Sequence, residues 1–190
     1  MLYIVLGSLG LLLIYVFDII SLKKLPLAKP VTWTIGNGLL VFAAIMACLA
    51  PDRLPLPVWS TWLGWALLLV SLPLLIYSLF INLPFRRTYI AAGVGDRLVK
   101  TGLYALVRHP GVHWLVLVLL SLILASRSSL MLIAAPIWIF LDILLVAIQD
   151  RFFFRRMFAG YDDYRRETPM LLPNRRSIRA FIDSLKQAGA

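Results

Sequence analysis

The chain predicts an all-α integral membrane protein with five transmembrane helices. Three observations carry that prediction. Hydrophobic residues make up 61% of the 190 residues and charged residues only 15%, with a mean hydropathy of +0.88. A soluble domain of this length rarely has such a balance. Five apolar segments stand apart: Leu2–Ile20, Trp33–Ala50, Trp59–Ile81, Trp114–Ala125 and Leu130–Ile148. The basic residues fall almost entirely in alternate gaps between them.

Each segment has its own grounds. Segment one lacks a basic stretch before it and a small-residue cleavage site, and it outruns a usual signal-peptide core, so it is read as a retained helix. Segment two contains Cys48, the single cysteine, which excludes an intramolecular disulfide and a cysteine-rich metal site. Pro51, Pro55 and Pro57 stiffen the loop that follows. Pro73 in segment three and Pro136 in segment five are expected to kink their helices. A spanning helix needs about 20 apolar residues. Segment four has only 12, or 15 if Gly111 to His113 join it. Only Ser126-Arg127-Ser128-Ser129 separates it from segment five. The two read as a tight helical hairpin whose short arm gains polar turns at its cytosolic end.

Charge sets the orientation, because short cytoplasmic loops collect Lys and Arg. Lys23, Lys24 and Lys29 follow segment one. Arg86, Arg87, Arg97, Lys100 and Arg108 follow segment three, and nine more follow segment five, from Arg151 to Lys186. With the N-terminus outside, 17 of the 19 Lys and Arg share the cytosolic side, and only Arg53 and Arg127 oppose them. The net charge of +10 then reflects membrane orientation and attraction to anionic headgroups, not nucleic acid. The protein is expected in the inner or plasma membrane as one domain. Residues 1–81 would be a three-helix scaffold, 82–173 the chemical half facing the cytosol, and 174–190 a basic amphipathic tail. Phe152 to Arg156 reads as a second amphipathic surface helix.

Arg108-His109-Pro110 is the richest stretch. A cation and a titratable ring at the mouth of a membrane helix are costly to place, and polar groups at that depth are functional candidates. Proline suits the first helical turn, where its missing N–H costs nothing. The open N–H groups of such a turn can face a polar ligand. Tyr104 adds a ring and a hydroxyl. His109 and His113 are four apart, as a metal pair would be, but no third ligand lies nearby and no metal is expected. Asp142, Val146 and Gln149 or Asp150 share one face of segment five. That face either lines a substrate path or pairs Asp142 with a donor on another helix.

In order, the residues from Gly95 to Pro110, then Gln149-Asp150-Arg151, Phe158-Ala159-Gly160-Tyr161-Asp162-Asp163-Tyr164 and Thr168 to Pro173, resemble the isoprenylcysteine carboxyl methyltransferase family and its relatives, the phospholipid N-methyltransferases. The resemblance covers roughly residues 80–173. It implies S-adenosyl-L-methionine bound at the cytosolic ends of the last helices, and a lipid-like or lipidated amphiphile arriving through the bilayer as methyl acceptor. Carried over by position, the cofactor contacts fall on Asp96, Arg97, Leu98, Val99, Tyr104, His109, Pro110, Gly111, Val112 and Asp150. Arg108 becomes the candidate catalytic residue, able to hold a carboxylate in a fork. Three positions depart from the family pattern. Val112 replaces a tyrosine, Asp150 a glutamate (Gln149 is its neighbour if the register slips), and Val146 an arginine, so acceptor handling should differ. Membrane sterol and enone reductases, which use NADPH, share a similar hairpin. They carry a tryptophan at the position of Tyr104 and Asn-Tyr after the His-Pro pair, and this chain has neither. A catalytically inactive membrane protein on the same scaffold is the third expectation.

Overall fold

A computed structural model of the chain describes residues 1–23, 25, 28–83, 90 and 98–188. It is helical throughout, with no strand among the described residues. The helices are α1 (Leu2–Leu22), α2 (Ala28–Leu49), α3 (Val58–Ile76), α4 (Leu103–Leu106), α5 (Pro110–Ser126), α6 (Ser129–Ile148), α7 (Phe154–Met157), α8 (Tyr161–Glu167) and α9 (Arg175–Ala188). Two of them widen into a π-helical turn, α3 at Tyr77–Ile81 and α6 at Gln149–Phe153. With those turns, Leu2–Leu22, Ala28–Leu49, Val58–Ile81 and Ser129–Met157 are long and apolar enough to cross a membrane, while the apolar Pro110–Ser126 is shorter.

The boundaries move for physical reasons. Hydropathy starts the second helix at Trp33. The structure starts it at Ala28, because Pro30 is tolerated in a first turn. Lys29 is therefore not a loop cation: it is buried in α2, with Nζ over the Phe17 ring at 5.2 Å. Pro110 opens α5 as its first helical residue, so the short arm has 17 residues. Ser128 caps α6, accepting from the Met131 N–H while donating to the Ala47 carbonyl at 2.6 Å. The helices continue through Pro73 and Pro136. The segment Phe152 to Arg156 is not a separate surface helix. It prolongs α6, and Phe154 turns inward.

Small residues set which helices pair, as they do where lipid offers no drive for helices to associate. A Cβ at Gly10 would lie 2.6 Å from the Gly36 carbonyl oxygen, so α1 and α2 cross backbone to backbone. A Cβ at Gly64 would collide with the backbone nitrogen of Ala125, and α3 crosses α5 there. Helix α6 packs against both pairs. Its fully buried Trp138 fills the space over Gly7 and donates to the Ile4 carbonyl at 3.2 Å. Near the other end of α6, Gln149 donates to Asp18 at 2.5 Å. These two bonds make α1 and α6 run parallel. Helix α5 accordingly runs back along the whole bundle from His109 to Arg127.

Helices α2 and α3 are consecutive in the chain but share almost no packing. Between them lies an apolar cavity of about 1000 Å³. Trp33, Asn37, Val41 and Ala44 line it from α2, and Leu68, Leu72, Leu75 and Leu79 from α3. Arg53 closes one end, donating to the Cys48 and Ser126 carbonyls at 2.8 and 2.7 Å. Trp33 and Phe80 meet edge to face, 5.7 Å between centroids, near the other. That other end holds His109.

Candidate functional site

The site forms where the end of α3, the start of α5 and the end of α6 converge, beneath α8. Asp150 sits in the π turn that ends α6, 3% exposed. A π turn inserts one extra residue per turn and so re-aims the side chains after it. Arg108 approaches from the residue pair just before α5. Its Nε donates to Asp150 Oδ1 at 2.8 Å and its Nη2 to Oδ2 at 3.0 Å. Its Nη1 donates to the carbonyls of Thr168 at 2.6 Å and Arg165 at 2.9 Å. Tyr161 donates its hydroxyl to Asp150 Oδ1 at 2.5 Å. Arg165 Nε lies 3.5 Å from Oδ2 at the half-exposed rim. Four of the five Arg108 guanidinium N–H groups are thus taken by the chain's own acceptors, which leaves no open fork for a ligand. That corrects the expectation that it stands ready for a carboxylate.

His109 is the group left over. It is the residue before α5, 8% exposed. Its Nε2 lies 3.5 Å from Asp150 Oδ1, yet it is fully buried and makes no hydrogen bond among the described residues. Buried polar nitrogens are nearly always bonded, so an orphan calls for a partner. Phe154 stacks on the imidazole, centroids 5.7 Å apart and planes 16° apart. Burial pushes the His109 pKa below its ordinary value, and Asp150 opposes this only in part. The ring is therefore neutral at pH 7, with one nitrogen able to donate and the other to accept.

The tyrosines brace the site. Tyr104 gives its hydroxyl to the Ser78 carbonyl in the α3 π turn at 3.1 Å, so only its ring faces the cavity. Tyr164 donates to the Tyr104 carbonyl at 2.6 Å. Burial raises the pKa of all three phenols, which keeps each a donor. Backbone bonds strap the tail down: the Arg108 N–H donates to Pro169 O at 3.0 Å and the His109 N–H to Met170 O at 3.3 Å. Gly102, at φ +60°, turns the chain into α4 where a Cβ would strike the Asn82 side chain.

Of the residues singled out from sequence, Leu98, Val99, Tyr104, Arg108, His109, Gly111 and Val112 line the cavity. Pro110 is buried at the start of α5. Asp150 lies behind His109 and Arg108, not on the cavity wall. Asp96 and Arg97 lie outside the described residues. Asp142, Val146 and Gln149 line the cavity along one face of α6. Arg165 and Ser78 join the site without any sequence signal of their own, Phe154 comes from the stretch read as a surface helix, and Thr168 opens the Thr168 to Pro173 stretch of the resemblance; each contributes a rim charge, a carbonyl or a ring that only the fold brings in. Among the described residues no three His, Cys, Asp or Glu are placed to hold a metal ion.

Residues 31–168 match a family model described as "Protein of unknown function (DUF1295)". No curated protein matches the chain, and no solved structure does.

Proposed function

We propose that this chain, which belongs to the DUF1295 family, is a membrane-embedded methyltransferase that uses S-adenosylmethionine and an amphiphilic acceptor, in the manner of the isoprenylcysteine carboxyl methyltransferases it resembles. The observation that carries this reading is the orphaned Nε2 of His109, buried where a large apolar cavity meets the Arg108–Asp150 pair. In this reading all five apolar helices cross the bilayer, the N-terminus lies outside, and the site faces the cytosol. The 17-to-2 division of basic residues supports that orientation. Arg53 and the α5–α6 turn close one end of the bundle, and the basic tail lies at the other.

The donor set suits the cofactor. Its planar base matches the aromatic and apolar walls of Tyr104, Val99, Leu98 and Val112, and a polar atom can satisfy His109 Nε2. When bound, the sulfonium supplies an activated methyl group. In-line displacement needs alignment and a dry site more than an activated nucleophile. The chain provides both. Phe154 and Tyr161 roof the site, and the strapped segment Thr168 to Met170 seals it. Arg108 acts as a positioning residue, fixing Asp150 and the tail carbonyls so that His109 keeps one orientation. The gap between α2 and α3 opens sideways along the bundle, the direction from which an apolar tail arrives in a bilayer.

The test is calorimetry on detergent-purified protein, titrated separately with S-adenosylhomocysteine and with NADPH. Binding of the homocysteine compound, weakened in His109→Ala, supports the reading. NADPH binding alone favours a reductase, and binding of neither removes both.

A further inference from the structure

Helix α9 packs on α4. Asn174 caps it, its Oδ1 accepting the Ser177 N–H at 2.9 Å. Ser177, Phe181 and Ser184 lie at i, i+4 and i+7 and so share one face. Ser177 is buried and the other two are half-buried. At the end of that face Ser184 Oγ accepts the Gly102 N–H at 3.2 Å. Gly102 turns the chain into α4, which carries Tyr104. Where α9 sits therefore bears on the turn that places Tyr104.

The outer surface of α9 carries two stripes. Ile178, Ile182 and Leu185 repeat the same spacing and are exposed. Next to them around the helix, Arg175, Arg179 and Lys186 form a basic stripe, all three exposed. Lys186 has only a 3.9 Å surface pair with Asp183. Among the described residues Arg175 and Arg179 make no ion pair. Arg176 and Ala180 fall on the side away from the apolar stripe, where Arg176 lies 3.7 Å from Glu167. An apolar stripe edged by cations is the pattern of a helix that lies in a membrane interface.

The depth agrees. Tyr104 donates to the Ser78 carbonyl, in the π turn that ends the apolar span Val58–Ile81. That bond puts α4, and α9 packed on it, level with the end of the span, where lipid headgroups begin.

We propose that α9 docks on anionic lipid headgroups and that this docking holds the Gly102 turn in place. Ile178, Ile182 and Leu185 dip into the edge of the bilayer, while Arg175, Arg179 and Lys186 meet the lipid charges. The basic stripe selects an anionic surface, and the depth selects lipid over a protein from the water phase. Each basic residue near such a surface shifts binding about fivefold, so the three together are worth on the order of a hundredfold. The proposal stands whatever reaction the site performs.

The test uses the full chain in nanodiscs of phosphatidylcholine, alone or with about a third phosphatidylglycerol. A Cys48→Ser background carries one fluorophore, on the stripe through Leu185→Cys or on the opposite side through Ala180→Cys. The lipids carry a spin-label quencher high on the acyl chain. The probe at position 185 should be quenched far more in anionic discs than in neutral ones, and the probe at position 180 little in either. The triple variant Arg175→Gln/Arg179→Gln/Lys186→Gln should lose the anionic preference. So should wild type at about 1 M salt, where screening cuts charge attraction off within about 3 Å. Amide hydrogen exchange from Gly102 to Leu106 should be slower in anionic discs for wild type and equal in both lipids for the triple variant. Equal quenching at position 185 in the two lipids, or quenching in neither, overturns the proposal. So does exchange at the Gly102 turn that ignores lipid charge while α9 docks.

Discussion

Arg108 and Asp150 meet fork to fork, Nε to Oδ1 at 2.8 Å and Nη2 to Oδ2 at 3.0 Å, although 42 residues separate them in the chain. Their side chains are 6% and 4% exposed. Removing one partner of such a pair strands a buried charge, which costs about 3–5 kcal/mol. Arg108→Met and Asp150→Asn should each lower stability by that order in thermal unfolding of the detergent-solubilised protein. Arg108→Lys should fall well short of wild type, because an ammonium cannot reproduce the planar fork. The double variant Arg108→Met/Asp150→Leu should recover more than half the loss. A double variant as unstable as the sum of its singles would show that the two residues act independently.

Tyr161 contributes the third bond to the same carboxylate. Tyr161→Phe deletes one hydroxyl and leaves the ring contacts to Phe154 and Tyr164 in place. A bond to a charged acceptor contributes about 1.5–3 kcal/mol. The variant should lose stability in that range. It should also weaken S-adenosylhomocysteine binding less than His109→Ala does, because Tyr161 touches the brace behind the imidazole. Titration calorimetry on both variants separates the two roles.

Much of this was legible in the residues, and what was not has a physical cause. Pro110 announced the start of α5, and the apolar runs announced the long helices. The end of α5 was harder to foresee. Arg127 sits at φ +54° as its C-cap, a conformation usually left to glycine. The fold holds it there through the bond from the Leu54 N–H to its carbonyl. The two π turns carry no proline or glycine signature, and they decide where Asp150 and the Ser78 carbonyl point. The motif placed Arg108, His109 and Asp150 in one site. That Arg108 is consumed within the chain, leaving His109 as the group without a partner, follows from carbonyls at Arg165 and Thr168 that no side-chain pattern records.

Two glycines make a matched pair for the helix crossings. At Gly64 an added Cβ meets the backbone of Leu124 and Ala125, which cannot swing aside. Gly64→Ala should push α3 from α5 and cost roughly 1–3 kcal/mol, the usual range for overpacking. At Gly38, in α2, nothing lies within 4 Å of the new Cβ. Gly38→Ala should be neutral or stabilising by up to about 1 kcal/mol, through helix propensity. Unfolding temperatures that move the same way in both variants would contradict the close α3–α5 crossing.

His109 gives the protein an acid limb. Burial sets its folded pKa below the ordinary histidine value, which is about 6.5 in an unfolded chain. Above that value both states are neutral at this ring, and it adds no pH dependence. As pH falls below about 6.5, the unfolded chain takes up a proton that the folded chain still refuses. Stability therefore drops as pH falls from about 6.5 toward the lower folded value, and rises again with pH. His109→Gln keeps a polar side chain there without that titration. Unfolding temperature measured between pH 5 and 7.5 should show a shallower slope in His109→Gln than in wild type. A wild-type stability that instead rises relative to His109→Gln as pH falls would mean that His109 is protonated in the folded protein. In that case Nε2 would be a donor to Asp150 and not the open nitrogen on which the binding site depends.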